Sequence, residues 1–195
     1  MTVALLLISD GREDYLEQTL ASVEANLPDF DQIVHIDDTA HELGFAGAIQ
    51  AGWDRISTDH VVHLEADFTF NRSVPVDRLV GALDRNPHLT QIALLRQPWN
   101  PVERAAGGII ATDPSAYAQR QDGDDQWLEH RKFWTTNPCV YPRWIVERGW
   151  PQCNQSEGMF GLKLFAEDPA YRAAFWGSGE EWVEHIGHGR AGHGY

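Results

Sequence analysis

At 195 residues the chain is long enough for one domain with a substantial core, and 43% hydrophobic content with 8 tryptophans excludes a disordered or low-complexity protein. Its formal net charge of −14 is the opposite of a nucleic-acid binder's basic footprint, so no bulk nucleic-acid binding is expected. An acidic protein still binds a phosphorylated ligand when a metal ion supplies the positive charge.

The apolar run 3–8 reads as a buried first strand. It is too short to span a bilayer, has no basic region before it and is followed by Asp10 and Arg12. No membrane segment and no signal peptide are therefore expected, and the cytoplasm is the expected compartment. Leu16, Leu20, Val23 and Leu27 recur at helical spacing, predicting a helix from about Glu13 that stops before Pro28. A second strand at 33–36 ends in Asp37 and Asp38, and a second helix carries Ala46, Ile49, Trp53 and Ile56 on one face. The run 60–64 is a third strand, Leu79, Val80 and Leu83 mark a third helix ended by Asn86-Pro87, and 91–95 is a fourth strand.

This alternation predicts a three-layer α/β/α fold with a mostly parallel central sheet. The segment 96–130 is polar and rich in Pro, Gly and Asp, and reads as a long excursion over the active face. An extended stretch at 134–141, a short helix at 142–148, a helix at 157–166 and strands at 171–176 and 182–186 complete the chain before a Gly/His-rich tail. No repeat or linker divides it, so a single domain is expected. Its two halves are 1–95 and 96–195. Cys139 and Cys153 fit no zinc spacing and read as free, structural thiols.

The chemistry-bearing residues cluster at strand ends. Glu65 and Asp67, spaced i and i+2 at the end of the third strand, leave on one face if the strand continues, and such a pair holds a divalent metal and through it a phosphate. The first strand ends in Ser9-Asp10-Gly11-Arg12 and the second in Asp37-Asp38-Thr39. All three loops meet at one edge of a parallel sheet, where ligands bind. Acids there take ribose hydroxyls or a base imide and Arg12 reaches a phosphate, although Ser9 and Asp10 are equally good helix caps. Gly44-Phe45-Ala46-Gly47 lets the backbone approach a ligand at a helix amino end. Asp122-Gly123-Asp124-Asp125 lacks the spacing of a calcium loop and reads as a solvated acidic loop. Trp134 or Trp150 offers an aromatic face for a sugar ring, although buried aromatics are the commoner use of such residues. Glu157 opens a helix, as dipole compensation or as a general base. His185, His188 and His193 with Arg190 lie among glycines, and histidine beside carboxylates suits manganese.

Taken together these motifs resemble a small GT-A-fold glycosyltransferase of family 2, over nearly the whole length. The motifs that carry the resemblance are Ser9-Asp10-Gly11-Arg12, Asp37-Asp38, Gly44-Phe45-Ala46-Gly47-Ala48 with Gly52, Leu64-Glu65-Ala66-Asp67, Asn137-Pro138, Gly149-Trp150-Pro151, Ser156-Glu157-Gly158 and His185-Ile186-Gly187. The resemblance implies a nucleotide-sugar donor, UDP- or GDP-linked, bound by the first half, and a protein, glycan or small-molecule acceptor bound by the second. Asp10 and Asp38 would contact the nucleoside with Arg12 nearby, Asp67 and His185 would hold Mn²⁺ or Mg²⁺, and Glu65 would reach the ribose or the metal. Glu157 matches the base of inverting members, with Arg190 or His188 as further clamps on the diphosphate. Here the usual Asp-x-Asp begins with Glu65, and the usual Glu-Asp at the base is Glu157-Gly158. A retaining transferase, a sugar nucleotidyltransferase or a non-catalytic sugar- or nucleotide-binding module are the alternatives.

Overall fold

A computed structural model of the chain describes residues 1–187, so His188, Arg190 and His193 lie outside the described residues. The first strand, β1 (Val3–Ser9), is buried along its whole length. Its side chains alternate between two cores: Val3, Leu5 and Leu7 face one, and Ala4, Leu6 and Ile8 the other. A strand covered on both faces needs apolar residues at every position, which is why its sequence is an unbroken run.

Helix α1 (Glu13–Asn26) leads to β2 (Gln32–Asp37), and α2 (Gly44–Trp53) to β3 (His60–Glu65). A short β4 (Phe68–Phe70) precedes α3 (Val76–Arg85) and β5 (Leu89–Ala93), and α4 (Pro101–Ala106) starts the segment beyond. Then come the hairpin of β6 (Ala118–Asp122) and β7 (Asp125–His130), β8 (Cys139–Pro142), α5 (Arg143–Val146), α6 (Ser156–Glu167), β9 (Arg172–Trp176) and β10 (Val183–His185). Helices α1 and α3 pack on one face of the sheet, and α2, α5 and α6 on the other. This is the three-layer arrangement. No helix among the described residues is long and apolar enough to cross a membrane.

The 8-stranded sheet has the order β2-β1-β3-β8-β5-β9-β7-β6. β1 pairs in parallel with β2 and β3, and β5 with β9, while β8 and β7 run against their neighbours on both sides. Most strands therefore share one direction, but the sheet is mixed beyond β3 because β8 returns to insert between β3 and β5.

Two expectations are corrected. Segment 96–130 is only in part an excursion, because the β6–β7 hairpin extends the sheet at its far edge. Its Asp122–Asp125 turn is solvated at Gly123 and Asp124, as expected, and braced by arginines at its two ends: the Asp125 carboxylate accepts from Arg78 Nε at 2.7 Å and Arg85 Nη2 at 2.8 Å, and Asp122 accepts from Arg85 Nε. Trp150 and Trp134 are core residues, 4% and 1% exposed, so neither presents an open face to a sugar. They pack with Trp53 and Phe160 at ring separations of 4.9 to 5.7 Å. The Trp150 indole donates to Ser156 Oγ at 2.9 Å, which satisfies the polar end of a buried ring.

Two buried histidines give the fold a pH signature. Burial pushes His63 down to about 3 and His130 down to about 4. Both are neutral in the folded protein near neutrality, whereas an unfolded histidine titrates at about 6.5. The unfolded state therefore binds more protons as the pH falls below that value, and stability present above it is lost on acidification, by about 1.4 kcal/mol per pH unit and histidine. We expect the melting temperature to fall between about pH 6.5 and about pH 5, and His130→Phe to flatten that dependence. Equal slopes in the two proteins would contradict the assignment.

Candidate active site

Parallel pairing aligns the ends of the first three strands. Ser9 lies beside Asp37, and Ile8 is flanked by Ile36 and Glu65. Ser9 Oγ donates to Asp37 Oδ1 at 3.2 Å and lies 2.9 Å from His35 Nε2, so it links β1 to β2. It does not cap α1, whose first turn has no side-chain cap. The Thr39 hydroxyl above all holds the Asp37 carboxyl below the usual range against the opposing effect of burial, with Ser9 and the Thr39 amide adding to it. Gly11 has φ +84°, and a Cβ there would meet Thr39 Cγ2 at 2.8 Å, so the first two loops pack at a distance only glycine permits.

Asp38 is 3% exposed and organises the next loop. Its Oδ1 accepts from the amides of Glu42 and Leu43, each at 3.0 Å, and its Oδ2 from the Gly44 amide at 2.8 Å. The amide at the start of α2 thus faces a carboxylate of the protein, and Gly44 takes φ +63° to allow it.

The centre of the site is Asp67. It stands in the turn between β3 and β4 rather than on β3, so the turn and not strand alternation sets its direction apart from Glu65. Arg12 Nη2 donates to Asp67 Oδ2 at 3.4 Å, and Arg12 Nε donates to Asp10 Oδ1 at 2.7 Å. Burial alone would lower the Arg12 guanidinium, but the bond and charge of Asp10, and then of Asp67, raise it above its ordinary value. His185 Nε2 lies 3.1 Å from the same Asp67 oxygen. Antiparallel register brings it there: His185 of β10 is opposite Phe68 of β4, and the Ile186 amide donates to the Asp67 carbonyl at 2.9 Å. Gly187 completes the turn, where a Cβ would come within 2.5 Å of Asp67 Oδ2.

Sequence reasoning missed what holds His185. Its ring is sandwiched between Phe68 at 4.5 Å and Trp99 at 4.3 Å. The Gln97 side chain clamps its backbone, accepting from the His185 amide at 2.9 Å and donating to its carbonyl at 3.1 Å. Arg96 and buried Glu103 anchor this arm through a 2.8 Å ion pair, with Glu103 also accepting from the Trp99 amide at 2.8 Å. The readable signal was local: Asn100-Pro101 followed by Glu103 is a helix start, and the Asn100 side chain does cap α4.

Glu157 is in the first turn of α6, half-buried. Its Oε1 accepts from the Thr136 amide at 2.6 Å and hydroxyl at 3.0 Å, which fixes the carboxylate. It sits between two clefts, one of about 250 Å³ toward Phe133 and Phe175 and one of about 450 Å³ toward the start of α2. The Cys139 thiol, raised well above its ordinary value by burial, is raised further by the charges of Glu157 and then Glu65. Both carboxylates thus act on the same strand end.

Among the described residues, no group of three His, Cys, Asp or Glu forms a ready metal cage. Asp67 and His185 alone offer one hard oxygen and one imidazole. That fits a cation such as Mn²⁺ or Mg²⁺ which takes its other ligands from phosphate and water.

The sequence matches the family model described as glycosyl transferase family 2 over residues 2–138. The chain belongs to that family. Among solved structures, it is similar to S. aureus TarS 1-349 in complex with UDP-GlcNAc, with TM-score 0.61 and 13% identity over 98% of this chain and 60% of that one. It is also similar to the mannosyltransferase PcManGT from Pyrobaculum calidifontis in complex with GDP-Man and Mn²⁺, with TM-score 0.61 and 12% identity over 91% of this chain and 56% of that one. At such identities the likeness establishes the GT-A fold, and this family member spans a little over half the length of those chains. No curated protein matches the sequence.

Replacing Gln97 by Ala removes both bonds to the His185 backbone. Leaving such groups without partners costs about 1–3 kcal/mol, and hydrogen exchange at the His185 amide should accelerate. Unchanged exchange would show that the clamp does not hold the histidine.

Proposed function

We propose that the protein transfers a sugar from a UDP- or GDP-linked donor to an acceptor hydroxyl with inversion, in a metal-dependent reaction. The observation that carries this reading is the buried Asp67 carboxylate at the ends of three parallel strands, shared by Arg12 and His185. Asp10, Asp37 and Asp38 form the nucleoside side of the edge, and Glu65 the ribose side. Arg12 brings a permanent positive charge beside them, suited to a diphosphate. Asp67 and His185 would hold Mn²⁺ or Mg²⁺, which when bound supplies positive charge for the departing diphosphate.

Glu157 is the base of this scheme. Its Oε1 is fixed by Thr136, and among the described residues Oε2 has no hydrogen-bond donor. Oε2 takes the proton of the acceptor hydroxyl as the acceptor oxygen bonds to the anomeric carbon. The bond from that carbon to the diphosphate oxygen breaks, and the diphosphate leaves with the electron pair from the opposite face. The family match and the donor-bound structures of similar fold support this reading.

Glu157→Gln should lower the transfer rate by roughly 10²–10⁴-fold, the usual worth of a positioned proton acceptor, with UDP binding kept. Asp67→Asn should abolish manganese-dependent turnover of the donor. Undiminished turnover in Asp67→Asn would remove the metal assignment, and a product of retained configuration would remove Glu157 as base. A wild-type protein that binds a UDP- or GDP-sugar with manganese and releases no nucleotide would be a binding module.

A further inference from the structure

We infer that the cleft of about 250 Å³ beside Glu157 is the acceptor subsite, and that it takes a compact, neutral alcohol carried on a flat apolar ring. The inference rests on the transferase reading above and names its acceptor class. The floor of the cleft is buried Leu95, Trp134 and Phe175, and half-exposed Ile109 and Phe133 stand at its sides. Size comes first: the volume is below the roughly 300–1,000 Å³ of drug-sized pockets, so it accepts about one ring.

Charge is the second constraint. Arg96 also lines the cleft, but its guanidinium is paired with Glu103 at 2.8 Å and donates to the Gln97 carbonyl at 2.8 Å. Its charge is neutralised within the protein, which leaves the Glu157 carboxylate as the uncompensated charge of the lining. An anionic acceptor is repelled there and a neutral one is not.

Hydrogen-bonding capacity is the third. The Thr135 backbone is engaged by the Gln91 side chain, and its hydroxyl accepts from the Asn137 amide. The polar side-chain groups left for a ligand are the Glu157 carboxylate, the Asn137 side-chain carboxamide, which bonds to no described side chain, and the proton of the largely buried Thr135 hydroxyl. One hydroxyl is well served by them. The several hydroxyls of a sugar would be desolvated against aromatic walls without partners, at about 1–3 kcal/mol each. The acceptor hydroxyl gives its proton to Glu157 and its oxygen bonds to the anomeric carbon, as in the transfer above.

The test is saturation-transfer NMR on the protein with UDP and manganese, using benzyl alcohol, benzoate and cellobiose as probes. Benzyl alcohol should bind in preference to both others. Phe133→Ala should weaken it by about tenfold, the value of one aromatic contact. Gly158→Leu provides an independent check, because Gly158 lines the cleft and a Cβ there meets nothing within 4 Å, so the helix admits a bulky side chain at the cleft's edge. It should also displace benzyl alcohol. Preference for cellobiose or benzoate, or benzyl alcohol binding untouched by Gly158→Leu, overturns the inference. UDP bound without benzyl alcohol overturns the acceptor class and leaves the transferase reading standing. Failure to bind either UDP or GDP overturns that reading and this one with it.

Discussion

A single buried carboxylate ties the loop after the first strand to the last described strand. The Asp67 side chain is 4% exposed, and an ionised group so far from water costs several kcal/mol unless opposite charges and donors surround it. Arg12 supplies a charge from the first loop and His185 an imidazole from the last described strand. The surrounding geometry follows from that need. Asp67 must turn off β3, β10 must pair with β4 in the register that brings His185 up, and position 187 must lack a side chain. Relaxing any one of these leaves a charge in a nearly dry site.

The same arrangement explains why the arm after β5 is built as it is. Its backbone bonds to the C-terminal segment through the Leu95 carbonyl, which accepts from the Trp182 amide at 2.8 Å, and its Gln97 amide group extends that ladder to His185. Trp99 then closes over the histidine ring. The arm therefore belongs at once to the carboxylate centre and, through Leu95 and Arg96, to the cleft beside Glu157. A donor bound at the strand ends and an acceptor held in the cleft would meet across this one segment.

The first half of the fold was legible because its signal is local. Strands covered on both faces read as unbroken apolar runs, and the helices between them repeat Leu and Val at helical spacing. The three acidic loops could be placed at one edge because parallel strands must end together. β8 was recognised as extended, but its place between β3 and β5 depends on pairing with residues about as far back as His60. β6 is an exposed, polar edge strand, Ala118–Asp122, with no alternation to betray it. The Gln97 clamp joins residues 88 positions apart and has no local signature at all. Trp150 misleads for another reason: an indole serves a core and a sugar platform equally well, and its burial and its bond to Ser156 show which.

The account stands or falls on whether Asp67 and His185 form half of a cation site that a diphosphate completes. Isothermal titration of UDP, with and without manganese, tests this most directly. The account predicts that manganese tightens UDP binding by at least about tenfold, or about 1.4 kcal/mol, and that the gain vanishes when His185 is replaced by Ala. UDP affinity that is the same with and without manganese would contradict it.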